Sequence, residues 1–325
     1  MIDKTDKKIL AILDSDGRAS ISSIAKKLNI SKQLTLLRIN KLFDKGIITH
    51  VYPIIDSSKL GFSIYLIFLK FSKPSVKIEN KLLSYLVKNE KVGWIATCIG
   101  TWNIYFSVFS RDTKELYRFV VDLFSKFEEN IEESEIIINF NTHPRPYSFV
   151  YRDVVETKYS DEPRILFDVS INNTLKNNEK KVLRYLRSNG RLTITDIAVK
   201  AGLGRKTVKN IVNDLTEKGI LMGYRANINV HKLGFLWYTL LFRVKNLRRE
   251  EENNLLEFLL SKPELIYFNN CFGHWNLILE VVVRTPDELR GIILDIQEKF
   301  PNLIRSYETL QIVKEHKYDY LPDIL

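Results

Sequence analysis

Arg205, Lys206, Lys209, Asn210 and Asn213 carry the most directed chemistry in the sequence. Guanidinium and ammonium groups pair with phosphate oxygens, and carboxamides offer the donor and acceptor that bond a base edge in the major groove. A second, weaker set lies earlier: Lys32, Gln33 and Asn40, with Arg38 on the flank and Leu36 and Leu37 among them. The two leucines can meet thymine methyls or pack on a neighbouring helix. Two matching glycine turns, CIGTWN and CFGHWN, set Gly100, Thr101, Asn103, Gly273, His274 and Asn276 at equivalent places in the two halves of the sequence. One reading is a plain hairpin turn at each, with Trp102 and Trp275 as core anchors.

Residues for covalent or metal chemistry are not arranged for it. His50, His143, His231, His274 and His316 are scattered without HxxxH or HExxH spacing, and Cys98 and Cys271 sit in apolar runs. GxSxG, P-loop and dinucleotide fingerprints are missing. The expectation is a protein without cofactor, metal or catalytic residues, acting by binding and not as an enzyme.

Composition supports that direction. The 325 residues are 45% hydrophobic and 27% charged, as in folded globular chains, and 49 Lys+Arg against 39 Asp+Glu give a formal charge of +10. Such a balance favours a polyanionic partner, and double-stranded DNA fits the residues above. Two cysteines exclude a disulfide framework and point to a reducing compartment, so a cytoplasmic location is expected. The start MIDKTDKKIL lacks an apolar h-region, and the richest apolar stretch, Leu277–Val283, is too short to span a bilayer, so no membrane partner is expected.

The elements that must position these residues occur twice. KKILAILDSDGRASISSIAKKLNI (7–30) matches KKVLRYLRSNGRLTITDIAVKAGL (180–203) at an offset of 173 residues, which also pairs Lys59-Leu60-Gly61-Phe62 with Lys232-Leu233-Gly234-Phe235 and Cys98 with Cys271. About three aligned positions in ten are identical over roughly 145, without a gap. The chain reads as a tandem duplication.

In each copy three short helices precede a β-like run. Ile9, Leu10 and Leu13 recur at helical spacing up to Asp16-Gly17, where the glycine suits a helix C-cap; Ile21, Ile24, Ala25 and Leu28 follow, ending at Asn29; Ser31 N-caps a third helix closed by Gly46. Thr35, Ile39 and Leu42 in one copy, and Val208, Val212 and Leu215 in the other, form the stripe that faces the core. The run from Ile47 to Ile55 reads as a two-stranded wing. Three helices and a wing make a winged helix-turn-helix.

The next ninety or so residues read strand, helix, strand, strand, helix, strand, the split ferredoxin-like βαββαβ unit. Strands such as IYLIFLKF and NLILEVVV look apolar on both sides, so two four-stranded sheets are expected to pack face to face about a pseudo-two-fold axis. The fold class is α+β, with a winged helix-turn-helix domain at 1–60, a βαββαβ sensing domain at 61–147, a connector at 148–175, a second winged helix-turn-helix at 176–233 and a second βαββαβ domain at 234–325. Within the connector, Ile165, Phe167 and Val169 alternate with Leu166 and Asp168 as a short docking strand would.

IDKTDKKILAILDSDGRASISSIAKKLNIS, RINKLFDKGIITHVYPIIDSSKLGF and the two glycine turns resemble two fused copies of the Lrp/AsnC family of feast-or-famine transcriptional regulators, over nearly the whole chain. The resemblance implies a sequence-specific DNA-binding regulator in which one chain mimics a dimer, chains that self-assemble into larger rings, and a small-metabolite effector bound near the subunit interface, with Gly100, Thr101, Asn103, Gly273, His274 and Asn276 of the glycine turns as its lining. The family's turn typically ends in an Asp associated with amino-acid binding. Here Asn103 and Asn276 stand there, and an amide cannot make a charge-assisted bond to an ammonium, which argues for a neutral or anionic effector or none. Two alternatives share the scaffold or the charge: a sirohaem-decarboxylase-like enzyme, whose His-Cys-Tyr-x-Arg segment is lacking in WIATCIGTWN and YFNNCFGHWN, and an architectural DNA-coating protein.

Overall fold

A computed structural model describes residues 2–155, 165–166, 173–245, 249–319 and 321. Phe167, Asp168 and Val169 of the expected connector strand lie outside the described residues.

The first three helices are α1 (Lys4–Ser15), α2 (Ile21–Leu28) and α3 (Lys32–Asp44). Local side chains set their starts: Asp3 and Asp6 form a reciprocal capping box on α1, Ser20 caps α2 and Ser31 caps α3. Asn29, in the left-handed region, ends α2. Strand β1 (Ile48–Ile55) follows.

The local two-stranded hairpin expected at this point does not form; the β run of each copy pairs instead with that of the other. ITHVYPII contains no Gly, Asn or Asp to supply a tight reversal, so it runs straight as one strand. Its partner is the corresponding strand of the other copy, with Tyr52 opposite Arg225 and Val51 opposite Ala226.

After β1 come β2 (Ser63–Phe71), α4 (Val76–Lys88), β3 (Val92–Ile99), β4 (Ile104–Ser110), α5 (Thr113–Phe127) and β5 (Ile131–Pro144). A one-turn helix α6 (Ser148–Tyr151) and the two-residue strand β6 (Ile165–Leu166), paired to β5, lie in the connector. The second copy repeats the order as α7 (Asn177–Ser188), α8 (Ile194–Ala201), α9 (Arg205–Glu217), β7 (Leu221–Ile228), β8 (Leu236–Val244), α10 (Arg249–Leu260), β9 (Leu265–Phe272), β10 (Leu277–Val283), α11 (Pro286–Lys299) and β11 (Ile304–Tyr318).

The two four-stranded sheets do more than face each other. The strand order β2-β4-β3-β11-β8-β10-β9-β5, with β2 also paired to β5, closes an eight-stranded antiparallel ring. The junctions are β3 with β11 and β9 with β5, the same pairing made twice across the pseudo-two-fold. Closure satisfies the backbone edges that two separate sheets would leave open. Outside the ring, α4 and α5 cover one copy's strands through Leu82, Leu86, Phe119 and Leu123, and α10 and α11 cover the other's through Leu255, Leu259, Ile293 and Ile296. A third cluster runs from the ring interior into both winged units.

Gly17 and Gly190 sit at one position of the repeat and have a role other than capping. Gly17 N donates to Tyr224 O at 2.8 Å, and Gly190 N donates to Val51 O at 2.9 Å. A Cβ at Gly17 would lie 2.7 Å from Val51 Cγ1, and one at Gly190 would lie 2.7 Å from Val51 O. The glycines therefore permit close approach of each helix turn to the β1–β7 ribbon, and Asp16 is the C-cap of α1. Their neighbours brace the same crossing: Arg18 Nη2 donates to Leu192 O, and Arg191 Nη1 donates to Gly17 O at 2.7 Å.

Candidate nucleic-acid interface

Helix α9 presents two faces. Val208 and Leu215 are buried and Val212 packs partly against the same core. Arg205, Lys206, Lys209, Asn210 and Asn213 are all exposed, and among the described residues no carboxylate forms an ion pair with the three cations. A row of free cations and amides along the second helix of a helix-turn-helix is the arrangement that reads phosphates and base edges.

Helix α3 differs. Thr35, Ile39 and Leu42 are buried, while Lys32, Gln33 and Asn40 are exposed. Arg38, expected on the flank of the reading face, is held instead by Asp3 and Asp6, with Nη1 donating at 2.7 Å to each. The acids that cap α1 also bind this guanidinium, a role that spacing within α3 cannot reveal. Leu34, Leu36 and Leu37 are 39%, 48% and 62% exposed, so no neighbouring helix among the described residues covers them.

At the glycine turns, Asn103 and Asn276 close the sheet. Asn103 Oδ1 accepts from Phe71 N at 2.7 Å. Asn276 Oδ1 accepts from Val244 N at 2.8 Å, and its Nδ2 donates to Val244 O at 2.9 Å. Both amides thus bond to the adjacent strand's backbone, while Trp102 and Trp275 are buried. Thr101 and His274 are exposed. In the second copy Gly273 and Asn276 line a cleft of about 650 Å³ shared with Phe140, Lys245 and Glu252.

The ring interior holds polar residues that the sequence reading missed. Glu280, in the middle of NLILEVVV, points inward. Its Oε2 accepts from Trp237 Nε1 at 2.6 Å and from Thr239 Oγ1 at 2.9 Å. Burial, opposed by these two hydrogen bonds, pushes its carboxyl up to about 8. Glu315 accepts from Trp94 Nε1 at 2.8 Å and from Asn227 Nδ2 at 3.0 Å, and burial pushes it up to about 7. The one available signal was an acid interrupting an apolar β run. The repeat places Ser107 and Thr142 at the equivalent positions, so the interior is asymmetric.

From this interior a polar chain reaches the first winged unit. Asn227 Oδ1 accepts from Tyr147 OH at 3.3 Å, and Tyr147 N donates to Asp14 Oδ2 at 2.6 Å. Asp14 Oδ1 accepts from Arg225 Nε at 3.0 Å, and Arg225 Nη2 also donates to Arg145 O at 2.8 Å. Cys98 and Cys271 are buried, and burial raises both thiols above their ordinary range.

Comparison with known proteins agrees with this geometry. A family model described as winged helix-turn-helix DNA-binding matches residues 2–49 and again 175–222. The HTH-type transcriptional regulator LrpA of Pyrococcus horikoshii is 32% identical over 128 residues, which are 39% of this chain and 89% of that protein. The HTH-type transcriptional regulator Ptr1 of Methanocaldococcus jannaschii is 30% identical over 122 residues, 38% of this chain and 81% of its own length. Each therefore corresponds to a single copy of the repeat. Among solved structures, the siroheme decarboxylase NirDL aligns over 98% of this chain and 94% of its own with a TM-score of 0.64 at 16% identity, a likeness of fold alone. No helix among the described residues is long and apolar enough to cross a membrane. With two winged helix-turn-helix units, two βαββαβ units and regulator relatives matching one copy at a time, the chain belongs to the Lrp/AsnC family of transcriptional regulators, in tandem-duplicated form.

Proposed function

We propose that the chain is a sequence-specific DNA-binding regulator in which one polypeptide serves as a dimer, that it acts by binding and not by turnover, and that its domains divide at the boundaries drawn above. The exposed face of α9 carries this reading, because five exposed polar side chains, in no ion pair among the described residues, stand opposite a buried apolar stripe. The two readers are unequal, since α3 offers Lys32, Gln33 and Asn40 beside exposed leucines and has Arg38 tied to Asp3 and Asp6. The natural site is then an imperfect palindrome whose α9 half is more sharply defined.

Binding measured against salt for Arg205→Ala/Lys206→Ala and for Lys32→Ala/Gln33→Ala tests the inequality. The first pair should weaken binding more and flatten the logarithmic salt dependence by about one counterion per lost phosphate contact. A lost bidentate base contact should add roughly 1–3 kcal/mol at one position. Equal losses, or none in the first pair, would refute it. Selection from a random duplex pool separates a specific regulator from an architectural coating protein, which would yield no motif.

Two finer readings accompany this one. Thr101, His274 and the glycines beside them are the groups left to meet a neutral or anionic effector, because Asn103 and Asn276 bond to backbone. Self-assembly is supported by apolar side chains at the two ring junctions: Ile99 and Val313 at one, Phe272 and Phe140 at the other, 41% of Ile138 also being exposed. Sedimentation should show species larger than one chain, and Phe272→Asp should shift them toward the single chain.

A further inference from the structure

A second cleft, of about 310 Å³, lies where the winged units join the ring. It is lined by Thr49 of β1, Asn227 and Ile228 of β7, the turn through His231 and Lys232, Trp237 of β8, and Val313, Lys314 and Glu315 of β11. It shares no lining residue with the cleft at the glycine turn. We propose that this cleft binds a small organic carboxylate, its anionic head between Lys232 and Lys314 and its apolar body against Ile228, Val230 and Trp237.

Charge is the first argument. Lys232 and Lys314 are exposed, and among the described residues neither is in an ion pair. The acid lining the cleft, Glu315, has both oxygens engaged, by Trp94 Nε1 and Asn227 Nδ2. Burial raises its pKa to about 7, which weakens its competition for the lysines near neutral pH.

The duplication supplies an internal control. The counterpart of Lys232 is Lys59, whose Nζ donates to Lys218 O at 3.1 Å and so serves the contact between the first copy and the end of α9. The counterpart of Asn229 is Asp56, a buried acid whose Oδ1 accepts from Ser58 N and Oγ. Ser58 stands in the place of His231, and Asn141 in that of Lys314. Relative to the first copy, the second exchanges the acid at Asp56 for Asn229, carries the hydrogen-bonded acid Glu315 where Thr142 stands, and gains a lysine and a histidine around this cleft.

Size and polarity give the ligand class. The volume suits a small metabolite, and Ile228, Val230 and Trp237, buried to within 8% of full occlusion, make one wall apolar. Trp237 Nε1 is committed to Glu280, so the positive charge that meets an anionic head comes from the lysines, with Thr49, Asn229 and His231 as further polar groups of the lining. An organic carboxylate matches both ends. Its binding would bridge β7, which leads from α9, to β11 of the ring, and bias how the second reader is held.

Calorimetry on the DNA-free full chain tests the site with benzoate, phenylpyruvate and indole-3-acetate as probes and phenylacetamide as an uncharged control. Because DNA is absent, failure here leaves the DNA-binding reading untouched. At least one carboxylate should bind, Lys232→Met/Lys314→Met should weaken it tenfold or more, Lys232→Arg/Lys314→Arg should retain it, and Lys245→Met at the other cleft should have no effect. The proposal is overturned if no carboxylate binds at millimolar concentration, if the amide binds equally, or if binding survives the double methionine variant.

Discussion

Asp14→Ala is expected to destabilise the chain by about 3–5 kcal/mol, the range for removing one partner of a buried ion pair. Asp14 is 2% exposed and Arg225 5%. Asp14 Oδ1 accepts from Arg225 Nε and Nη2, while Oδ2 accepts from Tyr147 N and from Tyr151 OH at 2.8 Å. One carboxylate thus joins α1 of the first copy, β7 of the second, and α6. Alanine would leave the Arg225 guanidinium in a low-dielectric site with only carbonyl partners, and would strip a buried N–H and a phenol of their acceptor. Denaturant midpoints at neutral pH give the measurement, and a loss below about 1 kcal/mol would show that the pair is not buried as described. Asp14→Leu/Arg225→Met should recover much of the loss, because a packed apolar pair escapes the desolvation cost that the lone charge carries.

Glu280→Gln should change how stability depends on pH. In the folded chain burial holds this carboxyl neutral up to about pH 8, whereas the unfolded chain ionises it near its ordinary value of 4.5. Between those values the unfolded state binds fewer protons, so stability falls as pH rises. The contribution is fully present below about pH 4.5 and is lost by about pH 8, and at roughly 1.4 kcal/mol per unit it amounts to several kcal/mol. Glutamine imitates the neutral acid, and its carbonyl can still accept from Trp237 Nε1 and Thr239 Oγ1. The variant should match the parent near pH 5, exceed it at pH 8 by roughly 3–5 kcal/mol, and show a flatter profile between. Parallel profiles would mean that Glu280 ionises freely in the folded chain. Glu315, pushed up to about 7, adds a slope of the same sign, which Glu315→Gln should remove separately.

The sequence by itself determined what depends on near neighbours. Helical spacing placed Ile9, Leu10 and Leu13, or Thr35, Ile39 and Leu42, on buried faces, and short polar caps such as Ser31 set where helices begin. The duplication was legible because an unbroken offset keeps every element in order, and the polar face of α9 followed from subtracting the buried stripe. Tertiary structure decided what depends on distant partners. ITHVYPII lacks a turn residue and so favours one straight strand, but its pairing partner is undetermined until the other copy's β7 presents its edge. Ring closure follows from edges that become neighbours only when both copies are folded. Arg38 became a structural cation because Asp3 and Asp6 lie across the helix packing, and Glu280 an inward acid because strand alternation places it on the ring's inner face. Hydrogen-bonding and charge act through space, so their outcome is set by which surfaces meet and not by spacing along the chain.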